Sequence, residues 1–345
     1  MFYRLLKIYV RLLLKIFCYD IVVNNRKHLQ LSGPLLITAN HPNSFFDALL
    51  VATHFKKSIF FLARGDVFKN ERVAGILGWL RMIPIHRISE GVENLHLNEK
   101  TFEQCRKIFM NNGIVLIFIE GLSQHEWTLR PFKKGAARLA LSSWSNTGNE
   151  NRLQVLPMGI TYSDYNGFGK KVFIEISSPL SKENFDEITE DGKAIVSFNE
   201  KLNEQISDLI IDVKNNNEQA IRNILIQSDS VADARFKLLN QSYHEKKMLS
   251  PVLLLPAVLG FIFHAPLYFP IKTFVNNKTK ATVFFDSVLF GLLLIIYPFY
   301  LLLIVSIFYL CTESLWSLFV LVVLPLCAGA AAKYFALLAK YQSKN

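Results

Sequence analysis

The sequence predicts an α/β protein: a largely parallel, buried sheet flanked by helices, with an amphipathic helix before it and a transmembrane helical region after it. Three observations carry this. Between residues 33 and about 180, short apolar runs of strand character alternate with stretches of helical spacing, the pattern of a sheet covered on both faces. Hydrophobic residues make up 51% of the 345-residue chain, Phe alone contributing 28, and the excess gathers after residue 248. The formal net charge is +10, which beside long apolar segments points to an anionic membrane face rather than to nucleic acid.

In chain order, Met1 to Tyr19 is apolar but carries Arg4, Lys7, Arg11 and Lys15 three or four residues apart. On a helix these form one basic stripe, with Leu5, Leu12, Leu13, Ile16 and Phe17 over much of the rest. Bases spread through the segment and no small-residue cleavage site disfavour a signal peptide. Residues 1–20 are therefore expected to lie in the membrane interface; the alternative is an amphipathic helix packed on the domain. Residues 21–180 should form the α/β domain. Leu35 to Ala39, Ser58 to Ala63, Met82 to His86, Gly113 to Glu120, Leu153 to Tyr162 and Lys171 to Ser177 read as strands. Phe45 to Phe55, Val73 to Leu80, Val92 to Met110 and Lys134 to Trp144 read as helices. Residues 181–247, with Phe198, Leu202, Ile206, Leu209, Ile210 and Val213 at helical spacing, should give a helical cover or collar.

Residues 248–345 hold three apolar segments. Thr282 to Cys311 and Leu315 to Leu338 are each long enough to cross a bilayer, which takes about 20 residues. The segment 250–271 contains Pro256, Pro266 and Pro270 and is expected to be a proline-broken, re-entrant or interfacial element. Lys246, Lys247, Lys272, Lys278 and Lys280 place the flanks of that segment in the cytoplasm by the positive-inside rule. The catalytic domain would then face the cytoplasm, at a bacterial inner membrane or, in a eukaryote, at the endoplasmic reticulum. The four cysteines form no Cys-x-x-Cys, so neither a metal site nor a disulfide framework is expected.

The candidate chemistry sits at strand ends, where function collects in such sheets. His41 follows the strand Leu35 to Ala39, and Asp47 stands six residues on. Pro42 keeps His41 out of the following helix, so with Ser44 as N-cap the two side chains can fold back on each other as a general base and its orienting carboxylate. The bland alternative is a surface histidine beside a Ser-x-x-Asp cap. Arg87 ends the strand Met82 to His86 and suits phosphate capture, though a strand-terminal arginine is more often merely solvated. Glu120 and Gly121 end the strand beginning at Gly113. Lys133 and Lys134 precede a helix start, where free N–H groups and the helix dipole favour anions. Val155 to Gly159 holds a proline, Pro157, which suggests an edge or irregular strand.

A rival reads Gly121-Leu122-Ser123-Gln124-His125 as the nucleophile elbow of an α/β-hydrolase, with Ser123 as nucleophile of a serine esterase. His125 stands where the motif has its last glycine. The required later histidine would be His244 or His264. A second rival is a non-catalytic lipid-binding membrane protein, which would have no use for His41 and Asp47.

Taken in order, His-x5-Asp, Ile-Pro-Ile-His-Arg, Phe-Ile-Glu-Gly-x-Ser, Phe-Lys-Lys-Gly-Ala and Val-Leu-Pro-Met-Gly-Ile over residues 33–162 resemble the glycerolipid acyltransferase superfamily, which includes glycerol-3-phosphate and 1-acylglycerol-3-phosphate acyltransferases. The commoner family pattern is His-x4-Asp with Glu-Gly-Thr-Arg. The extra residue before Asp47, and Leu122-Ser123 in place of Thr-Arg, are similar to the branch of fungal glycerol-3-phosphate acyltransferases. The resemblance implies transfer of an acyl group from acyl-CoA or acyl carrier protein to a phosphorylated glycerol acceptor in phospholipid synthesis, beside membrane lipids and without metal or redox cofactor. It implies His41 as base and Asp47 as its partner. Arg87, Glu120, Gly121, Ser123, Lys133 and Lys134 would bind the acceptor, with Arg87 or a lysine replacing the arginine missing at Ser123.

Overall fold

The computed structural model describes residues 2–86, 97–146, 148–185, 192–213, 217–240, 251–279 and 282–342. The chain begins with α1 (Phe2–Phe17) and β1 (Cys18–Val23), then β2 (Leu35–Ala39), α2 (Ser44–His54), β3 (Ile59–Arg64), α3 (Glu71–Trp79) and β4 (Met82–Ile85). It continues through α4 (Leu97–Met110), β5 (Ile114–Phe118), α5 (Gly135–Ser145), β6 (Gln154–Tyr162) and β7 (Lys170–Ile176). The helices α6 (Gly192–Ser207), α7 (Glu218–Gln227) and α8 (Val231–Leu239) precede the three long apolar ones, α9 (Leu254–Thr279), α10 (Phe285–Thr312) and α11 (Val320–Gln342).

The described strands form one sheet in the order β1-β7-β6-β2-β5-β3-β4. Every pairing is parallel except β6 with β7, and β2 is buried along its whole length. Parallel strands need helical crossovers, which cover both faces and explain the unbroken apolar runs in the sequence. One face packs against α1, α2, α7, α8 and the first half of α10. The other carries α4, α5 and α6.

Three expectations need correction. The strand β1 continues directly from α1; its apolar run Cys-Tyr-Asp-Ile-Val-Val shows no break from the helix before it, and only pairing with β7 reveals it. Pro157 does not mark an edge, since β6 lies between β2 and β7. The missing donor falls at the end of the ladder with β7, whose paired register starts at Met158, and Pro157 O still accepts from Ser177 N at 3.0 Å. The prolines also fail to break the first apolar segment: α9 runs unbroken with Pro266 and Pro270 inside it. Neighbouring helices can re-satisfy backbone that a proline loosens, and the Tyr300 hydroxyl donates to Phe263 O at 2.6 Å beside that turn. Gly260 allows α9 to meet α11 closely, since a Cβ there would lie 2.0 Å from Cys327 O.

The helices spanning Pro251–Thr279, Phe285–Thr312 and Leu315–Leu338 are each long and apolar enough to cross a membrane. Leu302, Leu303, Ile307, Phe308 and Leu310 of α10 are exposed, a continuous apolar surface that water would penalise and lipid would not. On α1, Val10, Leu13, Leu14 and Phe17 are buried in the core, while Leu5, Ile8 and Leu12 are exposed on the outward side with Arg4, Arg11 and Lys15.

Candidate active site

The site lies where β2 and β5, neighbours in the middle of the sheet, end side by side. The ring of His41 stacks on Phe118, the last residue of β5, with centroids 3.8 Å apart. Its Nδ1 lies 2.8 Å from Asp47 Oδ2, and Asp47 is wholly buried. The sequence pair is therefore brought together as expected. Asn43, not Ser44, is the N-cap of α2. Asn43 N donates to Asp47 Oδ2 at 2.8 Å, so the carboxylate that faces His41 also meets the start of α2, from Asn43 and not through the expected Ser44-x-x-Asp47 cap. Ser44 sits at φ +52°, a backbone conformation that costs a non-glycine residue about 1–3 kcal/mol and collects at functional sites. Its N–H is held by Ser123 Oγ at 2.7 Å.

The other oxygen of Asp47 accepts from the Tyr162 hydroxyl at 2.5 Å. Burial pushes the Tyr162 phenol well above its ordinary range, and the Asp47 charge adds to this. Tyr162 therefore keeps its proton and donates. With Asn43 N–H and Tyr162 O–H fixing the carboxylate, Asp47 can accept from Nδ1–H, which leaves Nε2 as the nitrogen able to take a proton.

Glu120 is buried behind this pair. Its Oε2 accepts from His41 N at 3.1 Å and Arg130 Nη2 at 2.6 Å, and its Oε1 from Arg130 N at 3.3 Å. The carboxylate is thus engaged by the protein, and it braces the histidine backbone rather than standing open to a ligand. Arg130 completes its own bonding with Gln124 Oε1 at 3.2 Å and the carbonyl of Leu122. Gly121 turns the chain at φ +75°, and a Cβ there would meet Lys133 Cγ at 2.8 Å, so glycine is required. Lys133 and Lys134 are exposed at the start of α5. Among the described residues, neither has a carboxylate within ion-pairing distance. Arg87 and His244 lie outside the described residues.

The nucleophile-elbow rival lacks its scaffold. That motif needs the serine on a tight turn leading straight into a helix, whereas irregular chain runs from Gly121 to Lys134 before α5 begins. His264 is on α9 and bonds Tyr297 OH at 3.0 Å. Among the described residues, no group of three or more His, Cys, Asp or Glu could hold a metal ion.

The motifs in the sequence do not place Asn43, Phe118, Arg130 or Tyr162 at this site. Arg130 had one signal, a cation just before the Lys133-Lys134 turn and downstream of a buried Glu. Tyr162 had only its place at a strand end.

His125 supplies a pH-dependent element beside the site. It stacks on Tyr165 with centroids 5.0 Å apart. Burial, reinforced by the Lys170 charge, lowers its pKa from 6.5 to about 4. Between these values the unfolded chain binds the proton and the folded one does not, so stability must rise with pH across that window and fall on acidification. Replacing His125 by Phe, which keeps the stacked ring, should flatten that acid-side loss in melting temperature. An unchanged slope in a thermal-melt series from pH 4 to 7 would show that His125 does not contribute.

The Acyltransferase family model matches residues 20–161, the stretch from β1 to β6. No curated protein matches the chain. Among solved structures, the crystal structure of the 1-acyl-sn-glycerophosphate acyltransferase of Thermotoga maritima is similar at 19% identity, over 54% of this chain and 72% of that one, with a TM-score of 0.38. That likeness is too slight to bear on the site. The family match encloses His41, Asp47 and the Glu120 turn, and residues 20–161 of the chain thus form an acyltransferase domain.

Proposed function

We propose that this protein transfers a fatty acyl group from an acyl thioester, acyl-CoA or acyl carrier protein, to a hydroxyl of glycerol-3-phosphate or 1-acylglycerol-3-phosphate, at the cytoplasmic face of a membrane. The observation that supports it most is the 2.8 Å contact between His41 Nδ1 and the buried carboxylate of Asp47. His41 Nε2 takes the proton of the acceptor hydroxyl as its oxygen attacks the thioester carbonyl. The tetrahedral intermediate collapses, the C–S bond breaks, and the imidazolium returns the proton to the departing thiolate. Asp47 stabilises the imidazolium meanwhile, as a triad carboxylate does. No protein nucleophile is needed, and Ser123 is left to hold the Ser44 turn.

Lys133 and Lys134 are the described cations best suited to the acceptor phosphate. Lys133 abuts Gly121, next to the glutamate that braces His41, and the N–H groups opening α5 add their dipole. Arg87 remains the third candidate from sequence. The membrane helices support a lipid-borne acceptor or product, which narrows nothing between the two acceptors.

The test is purified full-length protein in nanodiscs, given labelled acyl-CoA or acyl carrier protein and a panel of phosphorylated glycerol acceptors. Transfer to one of these acceptors is expected, and transfer to none would overturn the proposal. Changing Lys133 and Lys134 together to Ala should raise the acceptor KM about tenfold or more with little change in kcat, as expected when a contact equal in ground and transition states is lost. An unchanged acceptor KM would remove both lysines from the phosphate site.

A further inference from the structure

A buried ion pair lies against the loop that carries the histidine and takes no part in the chemistry above. Lys170, which opens β7, pairs with Asp286, in the first turn of α10, and neither side chain is exposed to solvent. Around the ammonium stand the rings of Phe17, Phe46 and Tyr162, with centroids 5.6, 5.8 and 5.6 Å away. Asp286 Oδ2 also accepts from Asn43 Nδ2 at 2.7 Å, and its Oδ1 from Gly167 N at 2.7 Å. The next residue of the helix, Ser287, accepts from Phe46 N through its Oγ at 3.1 Å.

A fully buried pair is poor at raising stability, because desolvating both charges offsets most of their attraction and a packed apolar pair would serve as well or better. What it does hold in place is the chain around it. Two of its neighbours' bonds fall on one short segment: Asn43, whose N–H binds Asp47 Oδ2, and Phe46, the residue before Asp47. The start of a helix long enough to cross a membrane is thus bonded to the turn that aims Asp47 at His41.

We propose that Asp286 is a positioning residue for the acyl transfer: held by Lys170, it fixes the Asn43 side chain, and through Asn43 N–H it orients Asp47 against His41. On this view α10 is part of the active site's construction as well as a membrane element. The inference rests on His41 and Asp47 being the catalytic pair, so His41→Ala is run beside every variant.

Two double variants, assayed as full-length protein in nanodiscs, separate positioning from packing. Lys170→Met with Asp286→Asn removes both charges but keeps an amide oxygen for Asn43, and should retain most of kcat. Lys170→Met with Asp286→Leu removes that acceptor too. Its kcat should fall on the order of 10- to 100-fold, the scale of a small misplacement in a reacting constellation, at an unchanged acceptor KM and a similar melting temperature. Asn43→Ala alone, which leaves the ion pair intact, should reproduce that fall, and adding it to the leucine variant should cost nothing more. Equal kcat in the two double variants, or a native kcat in Asn43→Ala, overturns the inference while His41→Ala remains inactive. A loss that merely follows the folded fraction overturns it as well. Should either double variant fail to fold, Asn43→Ala decides alone. A His41→Ala enzyme at full rate instead removes the underlying catalytic assignment.

Discussion

His41→Ala is expected to lower kcat by about 10²–10⁴-fold, the contribution of a positioned general base, with little change in the KM of the acyl donor. The fold should survive the change. The side chain of His41 is 18% exposed, and the carboxylate it leaves behind still accepts from Asn43 N and Tyr162 OH, so Asp47 keeps two of its three hydrogen bonds. Acyl transfer from a labelled thioester in nanodiscs, set beside a thermal melt, separates lost chemistry from lost structure. A near-native rate would count decisively against His41 as base.

The second large effect is expected of Asp47→Asn. The carboxylate receives three donors: His41 Nδ1–H and Asn43 N–H on one oxygen, Tyr162 O–H on the other. An amide can keep its oxygen towards the first two, and its NH₂ group then faces a Tyr162 hydroxyl free to turn and accept. Geometry is therefore largely kept while the charge that steadies the imidazolium is lost. The comparable substitution in a serine-protease triad costs about 10⁴ in kcat, and a fall of two orders of magnitude or more is expected here. Measured kcat for Asp47→Asn within a few-fold of native would show that the carboxylate serves the helix cap alone.

Much of this was legible in the chain before folding. The strands from Leu35 to Ile176 and the helices between them follow from apolar runs bounded by turn residues, because a sheet covered on both faces leaves that imprint locally. His41 and Asp47 could be paired on paper since Pro42 forces a loop between them. The site's supports could not. Glu120, expected to meet the acceptor or Arg87, is instead occupied by Arg130 and the His41 backbone. The proline-broken helix failed for a related reason: a proline's local cost is certain, but the neighbouring helix that offsets it is not written nearby.

By itself, the sequence determined the α/β alternation, the histidine and carboxylate at a strand end, the lysine turn, and three segments apolar enough for a bilayer. Each is a matter of composition and spacing within some twenty residues, where periodicity speaks directly. Only the tertiary structure decided which distant groups hold that carboxylate in place. Tyr162 reaches Asp47 across 115 positions and Asp286 reaches Asn43 across 243, and such meetings depend on how strands order themselves and where a late helix docks, which no local pattern encodes.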